Sequence, residues 1–308
     1  MKGFIFAAGF GERLRPITEA MPKSLVPVMN IPAICYPLMK MKKAGIRDIV
    51  INLHYMPDDI ARFFAMHNNF GLNITFSFEP EILGTGGGLK KCEKLLHDDD
   101  FIIMNSDIIA DIDLNALAAH HRQAKVSATV ALYETERAVS IGPVAVREGC
   151  VIDFKNFLGS GVPSEYIYTG TALCSPVIFR FLREEFSSIV YTGYTGIIGD
   201  SRLGAYVHRG YWHDIGTAES YRRANLGLLD EQDAVAREAR IMPGLDAQAV
   251  ARGVDTGTAV IEHSVIGAGS FVGDGAVIRN SVLLPGSVAD PKSVIENSVM
   301  FHREIIGS

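Results

Sequence analysis

The sequence predicts an α/β fold in which a mostly parallel sheet carries helices on both faces, followed by a short C-terminal parallel β-helix. Two observations predict this class. Before about residue 228, short apolar runs alternate with helical patterns, an order typical of helix-covered parallel sheets. From residue 259 onward the chain instead repeats itself at a constant interval, which indicates stacked coils of short strands.

The first part contains the strands and helices of the predicted sheet domain. Strands are predicted at residues 3–8, 49–53, 74–78, 101–104 and 127–132. Helices are predicted between them, for example at residues 33–44 and 114–123. Ligands of such folds bind beyond the carboxyl ends of the strands, so the loops that follow these strands are where we expect a site.

The tail carries an internal repeat of 17 residues. Its repeated valines are Val260, Val277 and Val294, and Val265, Val282 and Val299. Short strands that turn at Gly, Asn, Asp or Pro describe a three-sided parallel β-helix. A loose valine-rich tail is the alternative, but chance rarely keeps such pairs in register three times. We therefore predict a first domain over residues 1–230, a connector over 231–258 and a β-helix of about three coils over 259–308. Because coils mainly contact their neighbours, we expect the first domain to fold without them.

Bulk composition excludes several classes of protein. A chain of 308 residues exceeds what one core usually supports, and 48% hydrophobic with 21% charged residues is typical of a globular protein. A net charge of -6 without a long basic run argues against nucleic-acid binding. No apolar run is long enough to span a membrane, and the apolar N-terminus leads into a Gly-rich turn rather than a cleavage site. We expect a cytoplasmic protein with reduced, buried cysteines, because its four cysteines lie far apart.

The first predicted strand leads into a Gly-rich turn with nearby cations, AAGFGERLRPITEAMPKSLVPV. A dinucleotide fingerprint would need a third glycine where Leu14 stands, and the Gly-Lys-Ser/Thr end of a P-loop is also missing. What the segment offers is a backbone that can approach phosphates, the planar fork of Arg13 and the point charge of Lys23. This pattern suits a triphosphate. A plain strand-to-helix loop with solvated arginines is the alternative.

A second Gly-rich segment, LGTGGG at residues 83–88, lies between the strand that ends near Phe78 and a predicted helix over 89–96. Without Cβ atoms its backbone can reach a base or a ribose, although a flexible turn would look the same. Glu79 and Glu81 precede it and are either exposed turn acids or readers of base donors.

Two aspartates lie where strands are expected to end. Asp107 closes FIIMNSD, and Asp214 lies in YWHDIGT before a helical stretch. Mg²⁺ is usually held by one or two carboxylates together with substrate phosphates, so this pair would suffice. A helix N-cap or a surface acid is the alternative for either residue alone.

Together these segments resemble the sugar-nucleotide pyrophosphorylases, a nucleotidyltransferase family that includes mannose-1-phosphate guanylyltransferases and N-acetylmuramate-1-phosphate uridylyltransferases. The resemblance runs in order over about three quarters of the chain. It rests on GFGERLRP, PKSLVPV, LGTGGG, NSD, IGPV, TGTALCSP and GYWHDIGT. The resemblance implies a Rossmann-like sheet, a left-handed β-helix at the C-terminus, Mg²⁺ as cofactor, and a nucleoside triphosphate and a sugar 1-phosphate as substrates.

The resemblance also implies site residues. Arg13 and Lys23 would hold the triphosphate, and Asp107 and Asp214 would bind Mg²⁺. The nucleotide would contact Ala8, Gly9, Gly11, Glu81, Gly84, Thr85 and Gly86. The sugar phosphate would contact Gly142, Lys155, Glu165, Thr169 and Gly170. The chain departs from the family at Glu12, where threonine is usual, and at 156–158, where Asn-Phe-Leu replaces Glu-Lys-Pro. Lys155 or Glu165 would then compensate on the sugar side.

The base and the rival functions stay open at this point. Guanine presents a ring N–H beside an amino group, and the Glu81 carboxylate can accept both, so guanylyl transfer to mannose or heptose 1-phosphate is favoured. Uridylyl transfer to N-acetylmuramate 1-phosphate is the alternative, since those enzymes resemble the same segment. A non-catalytic sugar-nucleotide sensor and an acyltransferase that uses His263 or His302 as base are the rivals. Flat β-helix faces favour a homo-oligomer.

Overall fold

The computed structural model describes residues 1–200, 202–230 and 248–306. Most of the predicted connector, residues 231–247, therefore lies outside the described residues. The chain divides into two compact units. The first consists of Met1–Gly9 and Lys40–Trp212, and the second of Phe10–Met39 and His213–Ser308. The N-terminal Gly-Arg turn thus belongs to the same unit as the β-helix, which differs from the division at residue 230 that we predict from sequence.

Strands and helices alternate along the first three quarters of the chain. The strands are β1 (Lys2–Phe6), β2 (Pro27–Val28), β3 (Ile31–Pro32), β4 (Asp48–Leu53), β5 (Asn73–Phe78), β6 (Phe101–Asn105), β7 (Ile108–Ala110), β8 (Ala128–Glu134), β9 (Val144–Arg147), β10 (Cys150–Phe154), β11 (Tyr166–Cys174), β12 (Leu203–His208) and β13 (Trp212–Asp214). The helices are α1 (Ile17–Ala20), α2 (Cys35–Lys43), α3 (Pro57–Met66), α4 (Gly84–Lys91), α5 (Glu93–Leu96), α6 (Leu114–Ala124), α7 (Ala138–Ile141), α8 (Thr195–Asp200) and α9 (Ala218–Asp230). Each strand predicted from sequence is confirmed to within about two residues.

The first unit is built on one mixed sheet. Among the described residues it has nine strands, in the order β5-β4-β1-β6-β11-β8-β12-β10-β9. The strands β5, β4, β1 and β6 are parallel, as is the pair β8-β12, whereas β11 runs antiparallel to both β6 and β8. The α/β class is confirmed. The sheet is mixed because β11 and β10 run opposite to its other strands.

The centre of this sheet is apolar on both faces. Phe4 lies opposite Val50 on one side and Ile103 on the other, and all three side chains are buried. Near-continuous apolar strands are typical of sheets covered by helices on both sides, because neither face contacts water. The carboxyl ends of β1, β4, β5 and β6 therefore share one edge of a rigid core, where site residues can be held.

Helix ends follow local chemistry. The carboxylate of Asp113 accepts hydrogen bonds from the amides of Asn115 and Ala116 and so caps α6. Pro57 begins α3, where its missing N–H costs nothing. These local signals explain why α6 begins at the residue that the sequence predicts.

The four cysteines are thiols, as the sequence predicts, and Cys35, Cys92 and Cys174 are buried while Cys150 is half-buried. Burial raises the pKa of the Cys92 thiol to about 11, so it stays protonated and unreactive at neutral pH. No helix among residues 1–200, 202–230 and 248–306 is long and apolar enough to cross a membrane.

The second unit contains the hairpin β2-β3, helix α9 and the β-helix. Its coils are built from β14 (Val260–Glu262), β15 (Val265–Ile266), β16 (Phe271–Val272), β17 (Val277–Arg279), β18 (Val282–Leu283), β19 (Val288–Ala289), β20 (Val294–Glu296), β21 (Val299–Phe301) and β22 (Glu304–Ile306). Parallel pairing aligns Val260 with Val277 and Val277 with Val294. The predicted 17-residue register is confirmed.

The β-helix core is filled by different residues from the repeated valines. Val260 and Val294 are 42% and 63% exposed, whereas the following isoleucines of the later coils, Ile278 and Ile295, are buried. The described core consists of Ile266, Val272, Ala276, Ile278, Leu283, Ala289, Ile295 and Met300. Since successive side chains of a strand point to opposite faces, each Val-Ile pair places its isoleucine inside and its valine outside.

Candidate functional site

The segment LGTGGG forms the first turns of α4 rather than a loop before a helix. Several of its glycines are required by packing. A Cβ atom on Gly84 would lie 2.5 Å from the carbonyl oxygen of Ser187, and one on Gly87 would meet the carbonyl of Glu185. The amide of Gly86 donates to Ser187 O at 2.8 Å. The glycines therefore allow α4 to contact another backbone segment, a reason that the sequence alone does not reveal.

Thr85 connects α4 to the segment that contains Ile189. Its Oγ1 accepts a hydrogen bond from the amide of Ile189 at 2.9 Å. The side chains and backbone of 84–86 thus hold residues 187–189 in place. Their predicted contacts with a nucleotide stay a prediction.

Glu79, and not Glu81, is the buried acid before α4. Glu79 is 3% exposed. Its Oε1 accepts from Asn52 Nδ2 at 2.7 Å, and its Oε2 accepts from the amide of Leu83 at 2.9 Å. Asn52 Oδ1 in turn accepts from the amide of Ala7 at 3.0 Å. This chain of hydrogen bonds joins the carboxyl ends of β1, β4 and β5 to the start of α4, while the Glu81 side chain is exposed to solvent.

The Gly-Arg turn lies in the second unit and brings two predicted residues together. Gly11 has a φ of 70°, and a Cβ atom on it would lie 3.1 Å from Lys23 Cβ and 2.8 Å from Thr18 Cγ2. Thr18 Oγ1 donates to Gly11 O at 2.9 Å. Glycine is therefore needed at this position both for its positive φ and for its contact with Lys23.

Arg13 and Asp214 both lie close to Gly216. A Cβ atom on Gly216 would be 2.8 Å from Arg13 Nη2 and 3.5 Å from Asp214 Oδ1. Asp214 Oδ1 accepts a hydrogen bond from the amide of Gly216 at 3.0 Å, which fixes the carboxylate immediately before α9. Within the second unit, a planar cation and a carboxylate are thus held at one glycine.

Asp107 follows β6 in the first unit and is half-buried. The amide of the preceding residue, Ser106, donates to Phe6 O at 3.0 Å, so Asp107 follows the point where β6 and β1 end together. No group of three or more His, Cys, Asp or Glu side chains that could hold a metal ion occurs among the described residues. A site with one or two carboxylates plus substrate phosphates remains compatible with this finding.

On the predicted sugar side, Gly142 and Lys155 are in contact. Gly142 has a φ of 144°, and a Cβ atom on it would meet Lys155 Cε. The amide of Lys155 donates to Pro143 O at 2.7 Å. The methylene chain of Lys155 therefore lies over Gly142, whereas Glu165 is exposed and holds Thr135 only through its backbone carbonyl.

Thr169 and Gly170 lie at an irregularity of β11, between Tyr168 and Ala172. The Thr169 hydroxyl is buried and donates to Ala131 O at 2.8 Å, so it holds the sheet together. Gly170 has a φ of 82°, and a Cβ atom on it would lie 2.8 Å from Asn105 Nδ2. Thr169 and Gly170 are both buried, and their predicted contacts with the sugar phosphate stay a prediction.

A family model described as nucleotidyl transferase matches residues 2–231. This range includes every site residue described above. The chain belongs to the nucleotidyl transferase family.

Curated relatives of this nucleotidyl transferase include mannose-1-phosphate guanyltransferases. The chain is 31% identical over 226 residues to that of Gibberella zeae and 32% identical over 230 residues to that of Debaryomyces hansenii. Each alignment covers 72% of this chain and 62% of the relative. The matched part of the chain thus spans less than two thirds of the length of these relatives.

Solved structures share the fold. A protein of Bacillus anthracis assigned as a glucose-1-phosphate thymidylyltransferase, in complex with sucrose, matches with a TM-score of 0.68 at 26% identity. That match covers 76% of this chain and 97% of the other. An apo UDP-glucose pyrophosphorylase matches with a TM-score of 0.64 at 20% identity over 75% of this chain and 98% of the other, which shows likeness of fold alone.

Sequence reasoning missed two residues that make hydrogen bonds within the candidate site. Asn52 interrupts an apolar strand one residue before its end, and a buried polar side chain at the carboxyl end of a strand is a signal that could have found it. Trp212 was also missed. Its Nε1 donates to Thr169 O at 3.0 Å, and its ring stacks on Tyr133 with centroids 5.5 Å apart.

Proposed function

We propose that this protein transfers a nucleotidyl group from a nucleoside triphosphate to a sugar 1-phosphate and releases pyrophosphate. The observation that carries the proposal is the arrangement in the second unit. Gly11 contacts Lys23, and Arg13 and Asp214 both lie close to Gly216. A flexible backbone, two cations and a carboxylate are the groups that a triphosphate and its metal ion require.

The proposed reaction needs alignment and charge neutralisation rather than a general base. A sugar phosphate is a phosphomonoester with a second pKa near 6, so its oxygen is already largely ionised at neutral pH. That oxygen would attack the α-phosphate in line with the departing pyrophosphate. Arg13 and Lys23 would stabilise the negative charge that builds on the leaving group. No covalent intermediate with the enzyme is involved.

We propose Mg²⁺ as the cofactor, because Asp107 and Asp214 each have the chemistry of a Mg²⁺ ligand. Both are half-buried carboxylates, and the Gly216 amide orients Asp214 through one of its two oxygens. Carboxylate oxygens are hard donors, which Mg²⁺ prefers. When bound, Mg²⁺ would supply positive charge at the reacting phosphates.

We favour GTP as the triphosphate and mannose or heptose 1-phosphate as the acceptor. Both oxygens of Glu79 accept hydrogen bonds from the protein, whereas the Glu81 carboxylate is exposed and so available to the paired N–H donors of guanine. The names of the curated relatives also favour guanylyl transfer. Gly142, Lys155, Glu165 and the backbone of 169–170 would contact the sugar phosphate. Uridylyl transfer to N-acetylmuramate 1-phosphate is the alternative, on the same segment.

We also infer self-association through the β-helix in a cytoplasmic enzyme. Val260, Phe271 and Val294 are exposed apolar side chains on its outer faces, with exposed fractions of 42%, 55% and 63%. Rows of exposed apolar residues on flat strands favour contact with a second copy of the same surface. Sedimentation of the full chain would show a dimer or larger species, and a monomer at micromolar concentration would contradict this inference.

The activity is tested by measuring pyrophosphate release from the full chain with GTP, UTP, dTTP, ATP and CTP against a panel of sugar 1-phosphates. We expect release only when both substrates and Mg²⁺ are present. GTP should be preferred over UTP by about tenfold, since a Glu81 carboxylate that the bound base covers would lose a polar partner against uracil, at a cost of roughly 1 to 3 kcal/mol. Binding of nucleotide sugars without release of pyrophosphate under any combination would instead favour a sensor.

A further inference from the structure

The hairpin β2-β3 directly follows Lys23 and fixes the backbone around it. Lys23–Leu25 forms a short 3-10 turn, and the amide of Val26 donates to Lys23 O at 3.1 Å. The returning strand adds a second tie, because the amide of Ile34 donates to Ser24 O at 2.8 Å. Whatever holds the hairpin therefore also holds Lys23.

Side chains of helix α9 make hydrogen bonds with the backbone of this hairpin. Tyr221 Oη donates to Pro27 O at 2.6 Å. The Oδ1 of the fully buried Asn225 accepts from the amide of Met29 at 2.8 Å, and its Nδ2 donates to Tyr221 O at 2.9 Å. The same helix begins shortly after Asp214, so the hairpin and the carboxylate are held by one element.

Asn30 connects the hairpin to the β-helix by hydrogen bonds. It lies at the hairpin turn with a φ of 63°, a left-handed conformation that asparagine tolerates well. Its Nδ2 donates to Gln248 O at 2.8 Å and to Ile266 O at 3.1 Å. Ile266 belongs to the first coil, where its own amide donates to Ala249 O at 2.7 Å and its carbonyl also accepts from Ala251. One side-chain amide therefore ties the hairpin to two backbone segments at the start of the β-helix.

We propose that Asn30 is a positioning residue through which the first β-helix coil holds Lys23 in place for the triphosphate. The β-helix is then part of the nucleotide-binding apparatus and not only a surface for self-association. The kinetic part of this proposal rests on the proposed function. The structural part, that Asn30 immobilises the hairpin, stands independently of it.

Asn30→Gly tests the proposal, because glycine keeps the positive φ and removes only the side-chain amide. Asn297→Gly is the matched control, since Asn297 is an exposed asparagine of the β-helix with a φ of 52°. Asn30→Asp is a second variant that keeps the shape but turns a carboxylate toward two carbonyl oxygens. The readouts are amide hydrogen exchange of the peptide over residues 23–34, the KM for GTP and the KM for the sugar 1-phosphate.

We expect Asn30→Gly to speed exchange at Val26 and Ile34 and to raise the KM for GTP by about three- to tenfold, as the loss of one or two hydrogen bonds permits. The KM for the sugar 1-phosphate should change less than about twofold, and Asn30→Asp should show the larger effect. Unchanged exchange relative to Asn297→Gly would overturn the proposal, whether or not the wild-type protein transfers nucleotides. Faster exchange with an unchanged KM for GTP, or equal increases in both KM values, would overturn the positioning role. If the wild type shows no transfer, the proposed function fails and the exchange comparison alone decides the role of Asn30.

Discussion

The two glycine-rich segments look alike in sequence, but their glycines serve different purposes. In α4, Cβ atoms on Gly84, Gly87 and Gly88 would meet protein atoms at 2.5 Å or closer. At Gly9, by contrast, a Cβ atom would have nothing within 4 Å, and the residue is exposed. Packing requires the glycines of α4, whereas nothing in the described protein requires the glycine at position 9. The predicted contact of Gly9 with a nucleotide would account for a glycine at this position.

The two compact units also differ in how buried their candidate site residues are. The first contains the buried Asn52–Glu79 hydrogen bonds and α4, whose glycines pack closely against residues 185–187. It also contains the predicted sugar side, where Lys155 and Glu165 are exposed. The second contains Gly11, Arg13, Lys23 and Asp214, which are exposed or half-buried. We therefore expect variants in the second unit to affect phosphate chemistry, and variants in α4 to affect stability first.

The largest effect is expected at the charged residues. Asp107→Asn, Asp214→Asn and Arg13→Ala should each lower turnover by roughly 10²- to 10⁴-fold, because in the proposed reaction each removes a charge that would act on the reacting phosphates, directly for Arg13 and through Mg²⁺ for the aspartates. Arg15→Ala is the matched control, since Arg15 is an exposed arginine of the same turn whose Nε lies 3.8 Å from the Glu19 carboxylate. Steady-state turnover is measured at saturating Mg²⁺, and circular dichroism checks that each variant is folded. If a variant keeps near-normal turnover, the substituted residue does not belong to the site.

The comparison of the glycines is tested by Gly87→Ala and Gly9→Val. Gly87→Ala should lower the free energy of unfolding by about 1 to 3 kcal/mol, since its new methyl group would meet the backbone carbonyl of Glu185. Gly9→Val should leave stability within about 0.5 kcal/mol and raise the KM for the triphosphate severalfold. Urea unfolding and steady-state kinetics separate the two. A destabilised Gly9→Val with a normal KM, or a stable Gly87→Ala, would contradict the distinction between a ligand-binding Gly9 and the glycines that α4 needs for packing.

Most of the fold could be predicted from sequence because it depends on local patterns. The apolar run at 101–104 predicts a strand, and the repeated Val-Ile pairs predict stacked coils. Both predictions are confirmed. The antiparallel β11 could not be predicted, since strand direction depends on long-range connections. The role of Asn30 was missed because its partners, Gln248 and Ile266, lie more than two hundred residues away. Our expectation that the first domain folds without the coils stays a prediction, and residues 10–39 belong to the compact unit that contains them.

The smallest effect is expected for the two acids before α4, which differ in burial. Glu81 is exposed, so Glu81→Gln should leave stability unchanged. If Glu81 reads guanine, the substitution replaces one acceptor by a donor that faces a donor of the base. The preference for GTP over UTP should then fall by about tenfold, which corresponds to roughly 1.4 kcal/mol. Glu79→Gln is the informative contrast. It puts an amide NH₂ opposite either Asn52 Nδ2 or the Leu83 amide, both of which donate to Glu79.

Glu79→Gln should therefore destabilise the fold by about 1 to 3 kcal/mol while the base preference of the remaining folded enzyme stays near that of the wild type. Initial rates with GTP and UTP at limiting concentrations report the preference as a ratio of kcat/KM values, and urea unfolding reports stability. If Glu81→Gln leaves the ratio unchanged and Glu79→Gln alters it, the buried acid acts on the base through α4. Our assignment of Glu81 would then be wrong.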